Sequence, residues 1–557
     1  MNVWKTLNLY VHTLRYLRLS QIIYRLSRFR KTSIKLTGIP ACELCEETFG
    51  SKCNPRESVM LSENKFRFLN SEEEFTDGVS WYLNNKDPLW IYNLHYFYDL
   101  IAENARTRFD WHSKLIDHWI DNNSIGEGVG WDAYPISIRI VNWIKWSVDN
   151  NYNSEKIRKS LALQTRWLLK NLERDLLANH YFSNGKALVF SGLFFKGEES
   201  KKWLESGLGI IDEQIKEQIL SDGGHFERSP MYHALILEDL LDLLLAAKVW
   251  SNAIPTPSKK KWEKTIQIML GWLEYMSHPD GQIGFFNDSA FGISHRMEEL
   301  ADYANNIMGN QTAPKYLTNT YGNKKTTINH LSPSGFIRVT QKACGFVSIL
   351  DVGEVGPSYN PGHAHADTLS FEMSCEDSRF IVNGGTSSYW SKNRNHERST
   401  AAHSTVEING ESSSQTWANF RVAKRAFPKS LEIKDFDDSW TITCSHDGYK
   451  RLRGSPVHKR EWIFEESAVL VRDMIEGTFQ EAHARFILHP SVICEQLSST
   501  EWVFQTGGGR TILAEIKRGV SSLGWSQYAP YFGRVLKTRC LIIKPREGCS
   551  VLKLNSG

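Results

Sequence analysis

The sequence predicts a chain of the α+β multidomain class, in which a large helical domain is followed by an antiparallel β-sandwich. Three observations support this prediction. From about residue 85 to 310 the apolar residues recur with helical spacing, a polar stretch follows over 310–333, and beyond it the apolar period becomes two. A chain of 557 residues is long enough for two large domains of this kind.

The first 42 residues differ from the rest of the chain in charge, and we assign residues 1–85 to a basic N-terminal helical segment. Residues 1–42 contain no Asp or Glu but eight Lys or Arg residues, interleaved with Trp, Tyr, Leu and Ile. Two interpretations stay open. The segment is either an amphipathic basic helix on an anionic membrane surface or a helix that packs on the body and shows a basic face to water.

No cleavable secretory signal is visible in this segment. Basic residues interrupt any candidate apolar core of a signal, and no small-residue cleavage site follows. We therefore expect a location in the cytoplasm or at the periphery of the cytoplasmic membrane, with membrane contact through residues 1–42.

Residues 86–315 form the predicted helical domain. The stretch 231–247, MYHALILEDLLDLLLAA, is apolar on almost every side, which indicates a helix inside a many-helix assembly. Similar stretches with short loops between them indicate antiparallel neighbours. Aromatic residues are crowded in this half. Most belong to the core, and we expect a few, Trp131 and Tyr134 among them, to form a stacking floor for sugar rings.

Residues 330–557 form the predicted β-sandwich. Short segments of alternating apolar and polar residues, such as GFIRVTQ, TLSFEMS and ARFILH, are separated by Gly, Asn and Asp turns. The charge balance of 66 basic against 63 acidic residues argues against a general nucleic-acid binder. The sequence has no uninterrupted apolar run of about 18 residues, which argues against a multi-span membrane protein.

The strongest candidate for chemistry is the segment 361–372, PGHAHADTLSFE. We expect a strand here, on which His363, His365 and Asp367 alternate and point to one face. A row of polar side chains of this kind is typical of a functional edge rather than of a core strand.

The second candidate is the segment 222–233, DGGHFERSPMYH. Ser229 is a natural N-cap and Pro230 a natural first helical residue, which places Tyr232 and His233 in the first turn of the buried helix. The positive end of the helix dipole favours a phenolate, so we expect a lowered pKa for Tyr232 and a role in proton transfer.

Two further segments contain polar side chains suited to an acidic ligand. In 179–188, NHYFSNGKAL, we expect Asn179 and His180 in a loop and Asn184 as a cap of the next helix. In 383–407, Asn383 lies in a tight turn after a strand. Four cationic or metal-binding side chains follow it: Arg394, His396, Arg398 and His403.

Taken together, these residues resemble the heparinase II/III family of polysaccharide lyases, which includes related alginate lyases. The resemblance extends from about residue 90 to 480. Four motifs appear in the family's order: Asn179-His180, Pro230-Met231-Tyr232-His233, Pro361-Gly362-His363-Ala364-His365-Ala366-Asp367 and Arg398-Ser399-Thr400-Ala401-Ala402-His403. The resemblance implies an incomplete (α/α) toroid, here the catalytic domain, joined to an antiparallel β-sandwich.

The resemblance also implies roles for single residues. Asn179, His180 and His363 would surround the carboxylate of a uronic acid, and Tyr232 would transfer protons. A structural zinc would be held by three side chains: His365, Asn383 and His403. The family typically has Asp at position 383, and the missing charge weakens the expected affinity for zinc.

We further expect five side chains to bind substrate: Glu227, His233, Arg398, Trp131 and Tyr134. The implied reaction is β-elimination in an acidic polysaccharide. Since no export signal is visible, we expect a role in the metabolism of the bacterium's own surface polysaccharide. Asn and His donors would neutralise the carboxylate and stabilise the enediolate that forms when the C5 proton leaves. Either Tyr232 or His363 would be the base.

Two other classes of function stay open. One is a hydrolase: a glycosidase with paired carboxylates such as Asp222 and Glu227, or a metal-dependent enzyme at His363, His365 and Asp367. The other is a non-catalytic factor in polysaccharide assembly. Elimination products would contain a double bond that hydrolysis products lack, so analysis of the products would distinguish a lyase from a hydrolase.

Overall fold

The computed structural model describes residues 3–27, 33–42, 47–50, 55–250, 253–309, 313–323 and 325–557. Its α-helices are α1 (Val3–Leu14), α2 (Leu19–Ser27), α3 (Pro88–Tyr96), α4 (Phe109–Asn122), α5 (Ala133–Asp149), α6 (Glu155–Lys170), α7 (Ala178–Phe194), α8 (Glu198–Gln218), α9 (Pro230–Val249), α10 (Thr256–Tyr275), α11 (Met297–Met308) and α12 (Arg394–Glu397). None of the described helices is long and apolar enough to cross a membrane.

The strands up to residue 446 are β1 (Met60–Ser62), β2 (Lys65–Phe68), β3 (Ser71–Glu74), β4 (Asn319–Gly322), β5 (Thr326–Leu331), β6 (Phe336–Gln341), β7 (Phe346–Asp351), β8 (Phe371–Cys375), β9 (Ser378–Val382), β10 (Val406–Ile408), β11 (Thr416–Trp417), β12 (Arg421–Val422), β13 (Pro428–Phe436) and β14 (Ser439–His446). The remaining strands are β15 (Val457–Glu465), β16 (Ala468–Glu476), β17 (Ala482–Leu488), β18 (Ile493–Gln496), β19 (Glu501–Gln505), β20 (Thr511–Arg518), β21 (Val520–Tyr531), β22 (Arg534–Lys544) and β23 (Cys549–Ser556).

Helices α3 to α11 form an incomplete (α/α) toroid, as predicted. Helix α7 packs on α5 and α8, and α9 packs on α7, α10 and α11. Helix α9 is buried on nearly every side, and its acidic residues are paired inside the protein. Asp242 accepts hydrogen bonds from Lys145 and Lys186 at 2.6 Å each and from Tyr303 at 2.7 Å. These ion pairs explain how a buried helix accommodates charge.

Two antiparallel sheets form the predicted β-sandwich. One has ten strands in the order β21-β22-β17-β9-β8-β7-β6-β5-β4, with β10 paired to β17, and the other has eight in the order β13-β14-β15-β16-β23-β20-β19-β18. Buried apolar side chains of both sheets share one core. Phe371 of β8 meets Trp462 of β15 there, with ring centroids 6.4 Å apart.

The toroid and the sandwich contact each other through polar groups as well as apolar ones. Asp222, which follows α8, accepts hydrogen bonds from the backbone N–H of Ser334 at 2.9 Å and from its hydroxyl at 2.7 Å. The indole N–H of Trp272 donates to the same hydroxyl at 2.9 Å. These contacts fix the β5–β6 turn against the end of α10 and so hold the two domains together.

Two local predictions differ from the structure. In the described part of 1–85 only α1 and α2, residues 3–14 and 19–27, are α-helical before α3 begins. Phe66 and Phe68 alternate with charged residues and form the buried side of the small sheet β1–β3 instead. The segment 361–370 is not a strand but a series of turns and bends between β7 and β8. Pro361 and Gly362 favour a turn there.

Candidate active site

Four polar segments meet where the toroid contacts the sandwich. They are the start of α7, the residues before α9, the connection between α10 and α11, and the loop between β7 and β8. Each has a non-glycine residue in the left-handed region: Leu177 at φ 61°, Arg228 at 56°, Asn287 at 55° and Leu369 at 62°. Strained backbone of this kind clusters at functional sites.

Tyr232 and His363 form the centre of this site. Their ring centroids are 4.0 Å apart, and the hydroxyl of Tyr232 shares a 2.7 Å hydrogen bond with the hydroxyl of Tyr389. Ser229 caps α9 as predicted, since its hydroxyl accepts from the backbone N–H of Tyr232 at 3.2 Å. The structure therefore brings together two of the predicted catalytic residues, although they are separated by more than a hundred positions in the chain.

The pKa of Tyr232 shifts opposite to the prediction. Burial, together with the neighbouring Tyr389 and Asp288, raises the pKa of Tyr232 well above its usual value. The helix dipole at the start of α9 does not outweigh the loss of water around the phenol. Tyr232 is consequently a protonated phenol at neutral pH.

Asp288 connects the charged groups of the site. Its carboxylate binds His363 Nδ1 and His365 Nε2 at 2.8 Å each and also accepts hydrogen bonds from Arg394. Burial alone would raise the pKa of Asp288, but Arg394, with His363 and His365, lowers it well below its usual range. Since a carboxylate can only accept, His363 carries its proton on Nδ1 and has a free lone pair on Nε2.

Glu227 lies beside that lone pair. One of its carboxyl oxygens is 4.0 Å from His363 Nε2, and within the described part of the chain neither oxygen has a hydrogen-bond partner although both are buried. Burial, with Asp288 nearby, raises the pKa of Glu227 to about 8. Glu227 is therefore mostly a neutral carboxylic acid at pH 7.

Asn179 and His180 lie in the first turn of α7 rather than in a loop, because α7 begins at Ala178. His180 Nδ1 is 2.9 Å from a carboxyl oxygen of Glu173, and its ring packs on Tyr134 with centroids 4.5 Å apart. Asn184 is a buried residue inside α7, not a cap, and accepts from the backbone N–H of Glu173 at 2.8 Å.

Two family models match the chain. The heparinase II/III N-terminus model matches residues 103–316, and the heparinase II/III-like C-terminal model matches residues 323–553. The chain belongs to the heparinase II/III family. Among curated relatives, the heparin-sulfate lyase of Bacteroides stercoris is 26% identical over 312 residues, which cover 53% of this chain and 44% of the relative. The heparin-sulfate lyase of Pedobacter heparinus is 26% identical over 257 residues, 43% of this chain and 38% of that protein.

The chain thus spans less than half the length of these curated relatives. Solved structures share the fold over nearly the whole chain. A heparinase III structure aligns with a TM-score of 0.71 at 16% identity and covers 96% of this chain and 89% of that one. The heparan sulfate lyase HepC from Pedobacter heparinus aligns with a TM-score of 0.56 at 17% identity and covers 96% of this chain and 87% of that one.

Three residues predicted to bind substrate are buried and contact other parts of the protein. His233 is fully buried, stacks on Trp272 and is within 3.0 Å of the carbonyl of Met269. The guanidinium of Arg398 donates to backbone carbonyls, including that of Ala364, and so holds the β7–β8 loop. Trp131 lies in the core, where its indole N–H donates to Asn123. In each case the polar atoms are used inside the protein. Glu227 and Tyr134 lie at the site.

The residues implied for the family's zinc provide an incomplete set of ligands. His365 Nδ1 faces His403 Nε2 at 3.0 Å. His365 Nε2 donates to Asp288 and His403 Nδ1 donates to the carbonyl of Ser399, so the two facing nitrogens both carry lone pairs in the neutral rings. The amide of Asn383 accepts from the backbone N–H of Ser404 at 3.0 Å and donates to Ser370 at 3.3 Å. The described residues contain no group of three His, Cys, Asp or Glu suited to a metal. Two imidazole lone pairs without a charged third ligand leave the set incomplete for zinc, and zinc stays a prediction.

Sequence reasoning missed Asp288 and Tyr389. Asp288 lies in the irregular segment 285–290, FFNDSA, and Tyr389 lies in the 383–407 segment among more conspicuous cationic residues. No periodic pattern marks either residue. The one signal was the concentration of His and Arg side chains, which needs a counter-charge if it is buried.

Proposed function

We propose that this chain is a polysaccharide lyase that cleaves a uronate-containing acidic polysaccharide by β-elimination. The observation that supports the proposal most is the contact of Tyr232 with His363, whose ring Asp288 orients. The reaction needs a base for the C5 proton, an acid for the C4 oxygen and donors for the carboxylate. The relatives named heparin-sulfate lyase support the same class of reaction.

His363 is the base in this proposal. Its Nδ1–H donates to Asp288, so the lone pair on Nε2 is available. Burial lowers the pKa of His363 below its usual value despite the contact with Asp288, which keeps the ring neutral before the reaction. Asp288 then stabilises the imidazolium that forms when Nε2 takes the C5 proton.

Tyr232 is the acid. Its raised pKa keeps the phenol protonated, and the hydroxyl can donate to the departing C4 oxygen. Tyr389, hydrogen-bonded to Tyr232 at 2.7 Å, holds the hydroxyl in place and can stabilise the negative charge that the phenol gains. No covalent intermediate and no attacking water are needed.

The rings of Tyr232 and His363 lie against each other, so the base and the acid reach the sugar from the same side. This arrangement favours a uronate in which the C5 hydrogen and the C4 oxygen lie on one side of the ring, as in gluco-configured residues. Ido-configured residues place the two on opposite sides and fit less well.

Asn179 and His180 are the proposed donors to the uronate carboxylate. Glu173 orients the ring of His180 by accepting a hydrogen bond from its Nδ1–H. The neutral Glu227 adds no negative charge to this region at pH 7. Neutralising the carboxylate spreads the charge of the enediolate, as an oxyanion hole does.

The structure gives less support to a hydrolase with Asp222 and Glu227 as paired carboxylates. Both oxygens of Asp222 are used for structure, since one accepts from the backbone N–H of Gly224 at 3.0 Å and the other binds Ser334. A glycosidase needs two carboxyl groups facing each other across the cleft.

An activity screen tests the proposal. Purified full-length chain is incubated with gluco-configured and ido-configured uronate polymers, and the ultraviolet absorbance of unsaturated products is followed. We expect absorbance to rise with at least one gluco-configured polymer. A folded chain that is inactive on every uronate polymer contradicts the proposal, and faster cleavage of ido-configured polymers contradicts the proposed stereochemistry.

A further inference from the structure

Helix α1 presents an apolar stripe to solvent. Its large apolar residues Trp4, Leu7, Val11 and Leu14 are each more than half exposed, with Trp4 at 77%. They are spaced three or four positions apart, which places them on one side of an α-helix. Large apolar side chains rarely lie together on the surface of a soluble protein unless the surface binds something.

Helix α2 repeats the same arrangement. Leu19, Ile22, Ile23 and Leu26 are exposed by 41% to 72% and again lie on one side of the helix. One polar residue of this helix is on the inner side: Gln21 is buried, and its amide donates to the backbone carbonyl of Asp175 at 3.1 Å. An ordinary amphipathic helix would bury its apolar side and expose the polar one.

The inner sides of the two helices contact both domains. On α1, the hydroxyl of Thr13 accepts a hydrogen bond from the indole of Trp417 at 3.1 Å in the sandwich. Between the helices, Arg18 pairs with Glu217 of α8 at 2.5 Å and lies over the ring of Tyr359, 3.6 Å from its centroid. The helices are therefore docked on the body, and their exposed apolar side faces outward.

The docked arrangement departs from the second interpretation of the sequence. The helices do pack on the body, but the side that faces water is apolar rather than purely basic. The two helices also expose positive charge: Arg15 and Arg25 are exposed, and residues 1–42 contain eight basic and no acidic residues. Four of these basic residues, Arg28, Arg30, Lys31 and Lys5, have side chains that lie outside the described structure.

We propose that the outer side of α1 and α2 attaches this protein to an anionic lipid bilayer surface. The apolar side chains would enter the boundary between headgroups and acyl chains, and the basic residues would contact anionic headgroups. Exclusively positive charge disfavours a second copy of the same surface as the occupant, because the two would repel each other. The proposal is independent of the catalytic activity.

Vesicle flotation with the full-length chain tests this proposal. One set of vesicles contains phosphatidylcholine alone and the other phosphatidylcholine with phosphatidylglycerol. We expect the chain to float with the anionic vesicles, to bind neutral ones at least about tenfold less, and to dissociate as salt rises. No binding to anionic vesicles, or equal binding to both sets, contradicts the proposal.

Two double variants locate the surface. Ile22→Glu with Ile23→Glu replaces two exposed apolar residues of α2, and we expect about tenfold or greater loss of binding to anionic vesicles. Ile493→Glu with Leu497→Glu is the matched control, because these residues are 65% and 54% exposed on or just after β18. Thermal unfolding checks that both variants are folded.

Equal loss of binding in the control overturns the assignment of the surface to α1 and α2. A concentration-dependent dimer that the α2 variant abolishes, in the absence of vesicle binding, shows that a second copy occupies the surface and also overturns the proposal. Loss of binding confined to the α2 variant supports it.

Discussion

Replacing Glu227 with Gln should change how the stability of the protein depends on pH. The folded chain raises the pKa of Glu227 from 4.5 to about 8, because the buried carboxyl has no hydrogen-bond partner among the described residues. Between these two pH values the unfolded chain releases the proton and the folded chain keeps it. The free energy of unfolding of the natural chain therefore falls as pH rises through this window and levels off above about 8.

The magnitude follows from the difference between the two pKa values. At about 1.4 kcal/mol per pKa unit, the contribution of Glu227 amounts to at most about 5 kcal/mol across the window. Glu227→Gln keeps the shape of the neutral acid and removes its titration. We expect the variant to match the natural chain within about 1 kcal/mol near pH 4.5 and to exceed it by several kcal/mol near pH 8.5.

Chemical denaturation at a series of pH values measures this difference. Glu205→Gln, at an exposed position on α8, is the matched control and should follow the natural chain at every pH. Parallel pH profiles for the natural chain and Glu227→Gln would refute the reasoning, because they would show that Glu227 titrates in the folded state as it does in the unfolded one.

Three other changes test separate parts of the site. Tyr232→Phe should lower kcat by about 100-fold or more while costing about 1 kcal/mol of unfolding free energy, since only the bond to Tyr389 is lost; a rate near that of the natural chain contradicts the assigned acid. Asp288→Asn leaves the charge of Arg394 buried without its partner and should destabilise the fold by about 3–5 kcal/mol in chemical denaturation; an unchanged free energy contradicts its role as the common partner. Asn383→Asp adds the charge that the zinc ligands lack, so elemental analysis after dialysis should find more zinc than in the natural chain, and equal contents count against a zinc site there.

Local sequence signals predicted the parts of the structure that depend on neighbouring residues. The apolar pattern of α9 and its Ser229 cap were correct, because both follow from helix geometry within a few positions. The change of apolar period from helical to two separated the toroid from the sandwich. The motifs of the family located Tyr232 and His363 but could not show that their rings touch.

Other features depend on contacts that no local pattern reveals. Arg398 resembled a ligand-binding residue, but its partners are backbone carbonyls, which carry no sequence signal. Asp288 lies in an irregular loop and meets His363 only through the fold, 75 positions along the chain. For α1 and α2, the amphipathic pattern was visible in the sequence, but the side that faces the body was not.

The mass of the products formed in oxygen-18-labelled water tests the central claim most directly. Elimination breaks the bond between C4 and oxygen without adding water, so the account predicts products that are short of one water, contain a double bond and carry no label from the cleavage step. Labelled, saturated products would show hydrolysis and would contradict the assignment of Tyr232 and His363 as the acid and base of a lyase.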